Sequence, residues 1–233
     1  MFLQNPPDGW QLEGWKPSAL QTSQRAGHDF VLSEALKTWQ WWALWLLLFL
    51  NTCAGISVIS QEAPIFQELT KVSAVVAGSM VGIASLGNAV GRVFWAWVSD
   101  LITRRFTFLV MFIVQVLLFW FFPTITTASL MTIVTFIVLM CYGGGFGTMP
   151  AFTADYFGPK NVGPIYGLML TAWSFASAVG PLFIAHMRET TGSYAGALHV
   201  IAVVMAISIL LPVLVRPPRA SVVAGGAPEK KFA

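Results

Sequence analysis

Apolar residues in this chain come in six long blocks: Trp39–Ser60, Val72–Val98, Phe106–Phe122, Leu130–Phe152, Pro164–Ala185 and Ala195–Val215. Each is close to or above the run of about 20 residues that a helix needs to cross a bilayer. The third is the shortest, with Trp120, Phe121 and Phe122 to anchor its far end. Breakers stand between the blocks: Pro64, Arg104-Arg105, Pro123, Pro159-Lys160, Gly192 and Pro217-Pro218. Before the first block, Asp29 precedes Phe30, Val31 and Leu32 and is expected to cap a short helix from Phe30 to Lys37. Trp39, Trp41 and Trp42 beside Lys37 have the composition of a membrane–water interface. The pattern predicts an all-α membrane protein, a six-span helical bundle over 39–215. Residues 1–38 form a polar tail that carries the short helix, and 216–233 a second tail.

Composition agrees. The chain is 56% hydrophobic and 10% charged, with a mean hydropathy of +0.71, whereas soluble domains carry about 25% charged residues. A net charge of +3 with no basic patch speaks against nucleic-acid binding. Cys53 and Cys141 both fall in apolar blocks and read as small buried hydrophobes. Residues 1–38 contain Pro6, Pro7 and Pro17 and lack an early apolar core with a cleavage site, so the first block is expected to stay in the membrane as an anchor.

Lysine and arginine are distributed unevenly between the breaks. With the amino-terminal tail inside, that side holds Lys16, Arg25, Lys37, Arg104, Arg105, Lys160, Arg216, Arg219, Lys230 and Lys231. The outer side holds only Lys71 and Arg188, and Arg92 completes the 13. This ten-to-two split satisfies the positive-inside rule with both termini cytoplasmic, as expected for a multi-pass protein of a cell (inner) membrane.

The spans carry polar and small residues at helical spacing. On the second, Gly78, Val81, Ser85, Asn88 and Arg92 share one face. On the fifth, Tyr166, Leu170, Trp173, Ser177 and Gly180 do the same, an arrangement that also suits plain aromatic packing. Glycines recur in the second span (78, 82, 87, 91), the fourth (143, 144, 145, 147) and the fifth (167, 180), as expected where helix backbones approach closely in lipid. The run Gly143–Gly147 lacks a following Gly-Lys-Ser/Thr and is no phosphate loop. It is expected to make the fourth span thin and bendable, with Pro150 adding a kink. Arg92 lies about 12 Å along the helix from Asp100. It can snorkel to the interface or pair with Asp100, or it can face a cavity and hold an anion; the residues by themselves leave both open. Glu62, near the outer end of the first span, could take a proton, but a solvated interfacial carboxylate is the expected state.

An intramembrane enzyme would need a nucleophile or metal constellation. His186 is expected at an outer interface and His199 stands alone on the sixth span, with no serine-protease pattern and no paired intramembrane aspartates. Neither catalysis nor a cofactor nor a bound metal is expected.

Six spans with both ends inside, together with Ala96-Trp97-Val98-Ser99-Asp100-Leu101-Ile102-Thr103-Arg104-Arg105, resemble the carboxyl-terminal half of a major facilitator superfamily transporter and its signature cytoplasmic loop. Asp100, Arg104 and Arg105 match the loop, while Ala96 and Thr103 stand where glycine is usual and Leu101 where a basic residue is common. A narrower resemblance, from about residue 29 to 217, is to the oxalate/formate antiporter family. It rests on Asp29-Phe30 before Glu34-Ala35-Leu36, Gly87-Asn88-x-x-Gly91-Arg92, Ala154-Asp155-Tyr156-Phe157-Gly158 and Tyr166-Gly167-Leu168-x-x-Thr171-Ala172. The resemblance implies that Arg92 binds a substrate carboxylate, and the residues that share its face or the matching face of the fifth span, Ser85, Asn88, Tyr166, Trp173 and Ser177, are expected around the same site. It also implies that Ser99, Asp100, Arg104, Arg105 and Asp155 form a cytoplasmic gating motif. The family's second cation, a lysine after the Thr-Ala pair, is here Trp173. With one cation instead of two, the expected substrate is a small organic anion, a monocarboxylate in preference to oxalate. Superfamily transporters have two six-helix halves. The chain is therefore expected to be a truncated product, to pair with a separate amino-terminal half, or to dimerise. The alternative is a non-transporting accessory half whose motifs serve packing alone.

Overall fold

The computed structural model describes residues 28–218, and they are helical almost throughout. A short helix α1 (Leu32–Ala35) leads into α2 (Trp39–Thr70), α3 (Ala74–Ile102) and α4 (Arg104–Phe121), the last ending in a 3-10 turn at Phe122–Thr124. Then come α5 (Ala128–Phe157), α6 (Val162–Met169) and α7 (Thr171–Thr191), and finally α8 (Tyr194–Ser208) and α9 (Leu210–Leu214). α6 and α7 join at Leu170 into one apolar span, as α8 and α9 do at Ile209, which makes six helices long and apolar enough to cross a membrane. An even number of crossings brings both described ends to one side. There Phe30 N donates to Phe157 O (2.9 Å), and the Tyr156 hydroxyl donates to Val215 O (3.2 Å). The polar amino-terminal tail with Trp10 and Trp15, and the last basic residues Arg219, Lys230 and Lys231, lie outside the described residues.

Several element boundaries differ from expectation, each for a physical reason. Asp29 does not cap the first short helix, which starts later, with Val31 at its N-cap position. Glu34 reaches back instead to accept from Val31 N (3.0 Å), a bond that holds its carboxyl below the usual range. Asp29 is drawn away to the loop after α5, where its Oδ1 accepts from Lys160 N (3.4 Å). Gly158, at φ +85°, leaves the space that Asp29 fills. Pro64 does not end the first span. α2 runs on to Thr70 and absorbs the lost hydrogen bond and the ring clash as a local break at Gln61 (φ −126°, ψ 18°). α4 opens at Arg104 and not at Phe106, so the arginine pair sits on its first turn and not in a free loop. The Gly143–Gly147 run leaves α5 unbroken from Ala128 to Phe157. Its glycines serve close approach, as described below.

The tryptophans divide by role. Trp39 and Trp42 are exposed at 53% and 56%. Trp41 is buried, with its indole N–H donating to Ile165 O (3.4 Å), and Trp45 donates to Thr171 Oγ1 (2.9 Å), so this end of α2 is fastened to α6 and α7. Deeper in the bundle, Gln115 Nε2 donates to Asn51 Oδ1 (2.9 Å) and Asn51 Nδ2 to Cys141 O (3.1 Å). This polar staple joins α4, α2 and α5 where apolar packing alone discriminates poorly between helix registers. Cys141 is buried and Cys53 half-buried, and both are free thiols.

Thr103 links α3 to α4 at φ +86°, ψ 150°, a region that costs a residue with a Cβ about 1–3 kcal/mol. Its hydroxyl accepts from Phe106 N (3.5 Å), a modest return. Thr103→Gly is expected to raise the thermal midpoint of the detergent-solubilised protein, by a net stabilisation of about 1 kcal/mol. A fall would mean that the hydroxyl cap outweighs the backbone strain.

Candidate functional site

The most extensive helix pairing in the bundle is α3 against α5, and glycines set it. A Cβ on Gly87 would land on Phe136 O, and one on Gly91 on Met140 O. From the other side, a Cβ on Gly143 would land on Asn88 O, and one on Gly147 on Arg92 O. Glycines four apart on each helix thus receive the backbone of the other, a reciprocal small-xxx-small contact. The backbone of Arg92 rests directly on Gly147, and its guanidinium then lies over the Phe146 ring, 5.4 Å from the centroid. Phe146 also meets Trp173 of α7 edge-on (6.5 Å between centroids) and Tyr142 of its own helix (5.3 Å). Tyr166 of α6 is half-buried and packs against the core.

Three helices, α3, α5 and α7, therefore bring Arg92, Phe146, Tyr142 and Trp173 together. Arg92 and Trp173 are exposed, Trp173 at 45%. Ser85 is exposed two turns further along α3. Ser177 lies one turn beyond Trp173, its hydroxyl donating to Trp173 O (2.8 Å). Asn88 takes a different place: its backbone is pressed into the α3–α5 seam at Gly143, and its buried Oδ1 has no protein hydrogen-bond partner. Gly180 belongs to packing, against Cys53, Ile56 and Ser57 of α2. Phe146 and Tyr142 are the residues that reading the sequence missed. They sit within and beside the Gly143–Gly147 run, and their i, i+4 spacing was the available signal.

At the end of the bundle that carries the arginine pair, the motif residues form one cluster. Arg104 pairs with Asp100 (2.6 Å) and with Asp155 of α5 (3.2 Å), and its guanidinium also donates to Ser99 Oγ. Arg105 donates to Pro212 O (3.0 Å) and Val213 O (2.6 Å) at the end of α9, where carbonyls are otherwise unpaired. Arg104 thus fastens α3, α4 and α5 together, and Arg105 adds the last span. Asp100 is the partner of Arg104 and not of Arg92, and Arg92 forms no ion pair among the described residues.

The major facilitator superfamily model matches the chain in two overlapping stretches, residues 1–181 and 44–233. The chain belongs to the Major Facilitator Superfamily. As a superfamily member it is a multi-pass integral membrane protein of a transporter family and not an enzyme. Among curated relatives it is similar to the oxalate:formate antiporter of Oxalobacter formigenes, 29% identical over 154 residues, which cover 65% of the chain and 37% of that relative. It is similar to the MFS-type transporter YhjX of Escherichia coli, 28% identical over 154 residues, 64% of the chain and 37% of the relative. It is similar also to apicoplast pyruvate carrier 1 of Toxoplasma gondii, 25% identical over 184 residues, 74% of the chain and 33% of the relative. The matched region spans about a third of the length of these superfamily relatives.

Proposed function

We propose that this chain is the carboxyl-terminal half of a secondary transporter that carries a small organic anion, a monocarboxylate in preference to a dianion, with Arg92 as the carboxylate contact. The observation that carries this reading is the state of Arg92. It is exposed on a helix face, braced by Phe146, and its one nearby acid on the same helix, Asp100, is taken by Arg104. A cation held on apolar surroundings without a counter-charge is an anion site. Relatives named for oxalate, formate and pyruvate support the substrate class.

Trp173 supports the preference. It stands beside Phe146, on the same face as Arg92, where the resembled family carries a second cation. An indole offers an apolar wall and a single N–H donor, which suits one carboxylate with an organic tail. Trp173→Lys is expected to shift preference toward oxalate by about tenfold or more, the scale of one added charge contact. Competition by oxalate and by monocarboxylates against labelled substrate measures it. An unchanged ranking would remove Trp173 from the site.

The chain needs a partner for this activity. α3 and the α6–α7 span leave most of their apolar length exposed, whereas α2 and α5 bury more than half of theirs. The bare faces are the ones that border Arg92 and Trp173, where a second six-helix unit would close the cavity, with the arginine-bearing end in the cytoplasm. The test is uptake of labelled carboxylates into vesicles holding the chain with a co-expressed amino-terminal half, or alone as a homo-oligomer. Assembly without uptake would favour the accessory-half reading.

A further inference from the structure

Near the outer end of α2, Glu62 is not solvated as its position in the sequence suggests. It is 3% exposed, and its buried Oε1 has no protein hydrogen-bond partner. At the helical rise it lies about 34 Å from Trp39, near the far edge of the hydrocarbon layer. Its burial is the work of neighbouring helices.

Every other charge at this end is accounted for. Glu68, six residues on, accepts from Arg188 Nε of α7 (2.7 Å) and from Tyr194 N at the start of α8 (3.2 Å). The Arg188 guanidinium also covers the Tyr194 ring (5.4 Å), and the Tyr194 hydroxyl donates to Gln61 Oε1 (3.0 Å). His199 of α8 meets Trp120 O through Nε2 (3.2 Å). His186 and Glu189 of α7 and Lys71 are exposed. α3 carries no titratable residue before Arg92, and on α5 the titratable residues are Cys141 and Tyr142 in mid-span and Asp155 and Tyr156 at the opposite end. Of the two carboxyls on this part of α2, Glu68 is thus compensated as an anion. Glu62 has no counter-charge among the described residues, and a buried carboxyl without one is less costly as the neutral acid.

Glu62 also sits where its helix is interrupted, next to the break at Gln61 and two residues before Pro64, which cannot donate to the Ser60 carbonyl. Beside that break the Tyr194–Gln61 bond ties α2 to the start of α8.

We propose that Glu62 is a proton-binding site, loaded from the outer side, which couples the inward movement of one proton to the anion held at Arg92. One proton adds to a Glu62 carboxylate oxygen from the outer phase and the same proton leaves to the inner phase, so a monocarboxylate and its proton cross with no net charge. The coupling half of this proposal rests on the anion reading given above; the proton site does not.

Infrared spectroscopy of the full chain in lipid vesicles tests the site without any transport. The expected result is the carbonyl stretch of a protonated carboxylic acid at neutral pH, lost in Glu62→Gln and displaced in Glu62→Asp. Absence of that band, or its persistence unchanged in both variants, overturns the proposal. In the assembled transporter, wild-type protein should accumulate a labelled monocarboxylate about tenfold per unit of inward pH difference. Glu62→Gln should abolish accumulation while retaining exchange of labelled for unlabelled anion. Gradient-driven accumulation that survives Glu62→Gln overturns the coupling. If the wild type moves no carboxylate at all, the anion reading fails, and the infrared result still decides whether Glu62 holds a proton.

Discussion

Arg92→Ala should abolish carboxylate uptake, with a loss of anion affinity on the order of 2–5 kcal/mol, roughly 30- to several-thousand-fold. The size follows from what the site offers an anion besides Arg92. Phe146 and Trp173 supply apolar surface, and Ser177 a hydroxyl already donating to Trp173 O. None of these replaces a full positive charge. Arg92→Lys should be intermediate, because lysine keeps the charge but gives up the planar fork that meets both oxygens of a carboxylate. Phe146→Ala should cost less, about 1 kcal/mol, since the ring braces the guanidinium and does not itself carry the anion. Binding of a labelled monocarboxylate to the assembled transporter, by equilibrium methods, ranks the three variants. Wild-type affinity in Arg92→Ala would exclude Arg92 from the site, and equal losses in Arg92→Ala and Phe146→Ala would mean that packing, not charge, had been removed.

The fold was legible because lipid imposes a strict rule: backbone groups must be satisfied within each span, so spans announce themselves as long apolar runs. All six blocks correspond to helices in chain order. What the pattern could not supply is where a helix goes on past a breaker, or where a polar residue finds its partner. Pro64 looks like a stop, yet the neighbours that bury Ile65 and Phe66 hold α2 together beyond it. Asp29 looks like a local cap, yet its partner is the amide of Lys160, 131 residues away.

The site was half legible for a related reason. A charge and a tryptophan stand out in apolar helices, so Arg92 and Trp173 could be named. Phe146 and Tyr142 were harder to single out, because aromatic residues are common in five of the six apolar blocks and only the i, i+4 spacing marks those two. The competition for Asp100 was open to a stricter reading: Arg104 lies four residues from it and Arg92 eight, and the turn at Thr103 between α3 and α4 brings the nearer pair together. Thr103 was flagged only as a departure from a family pattern, and its positive φ supplies the physical meaning of that departure.

Gly91→Leu should be among the most destabilising single substitutions in the chain, whereas Gly82→Leu on the same helix should be nearly silent. Both glycines lie in α3, and both belong to a pair four residues apart, Gly78 with Gly82 and Gly87 with Gly91. The surroundings differ completely. A Cβ at Gly91 would occupy the position of Met140 O, whereas at Gly78 and Gly82 nothing lies within 4 Å. Opposing backbone cannot move aside as a flexible side chain can. Leucine at 91 therefore has to push α3 off α5, at a cost of about 3 kcal/mol or more in lost packing and in broken approach between the two backbones. At 82 the same change replaces a poor helix former by a good one, a gain of up to about 1 kcal/mol. Thermal unfolding of the chain in detergent should show a large drop for Gly91→Leu and little change, or a rise, for Gly82→Leu. An equal drop in both would mean that glycine in this helix serves flexibility rather than contact. The comparison also bears on assembly. If the open face at Gly78 and Gly82 receives a second six-helix unit, Gly82→Leu should leave the midpoint of the isolated chain untouched and still reduce co-purification with that unit. Gly91→Leu should then damage both, and should displace Arg92 from Phe146 as well.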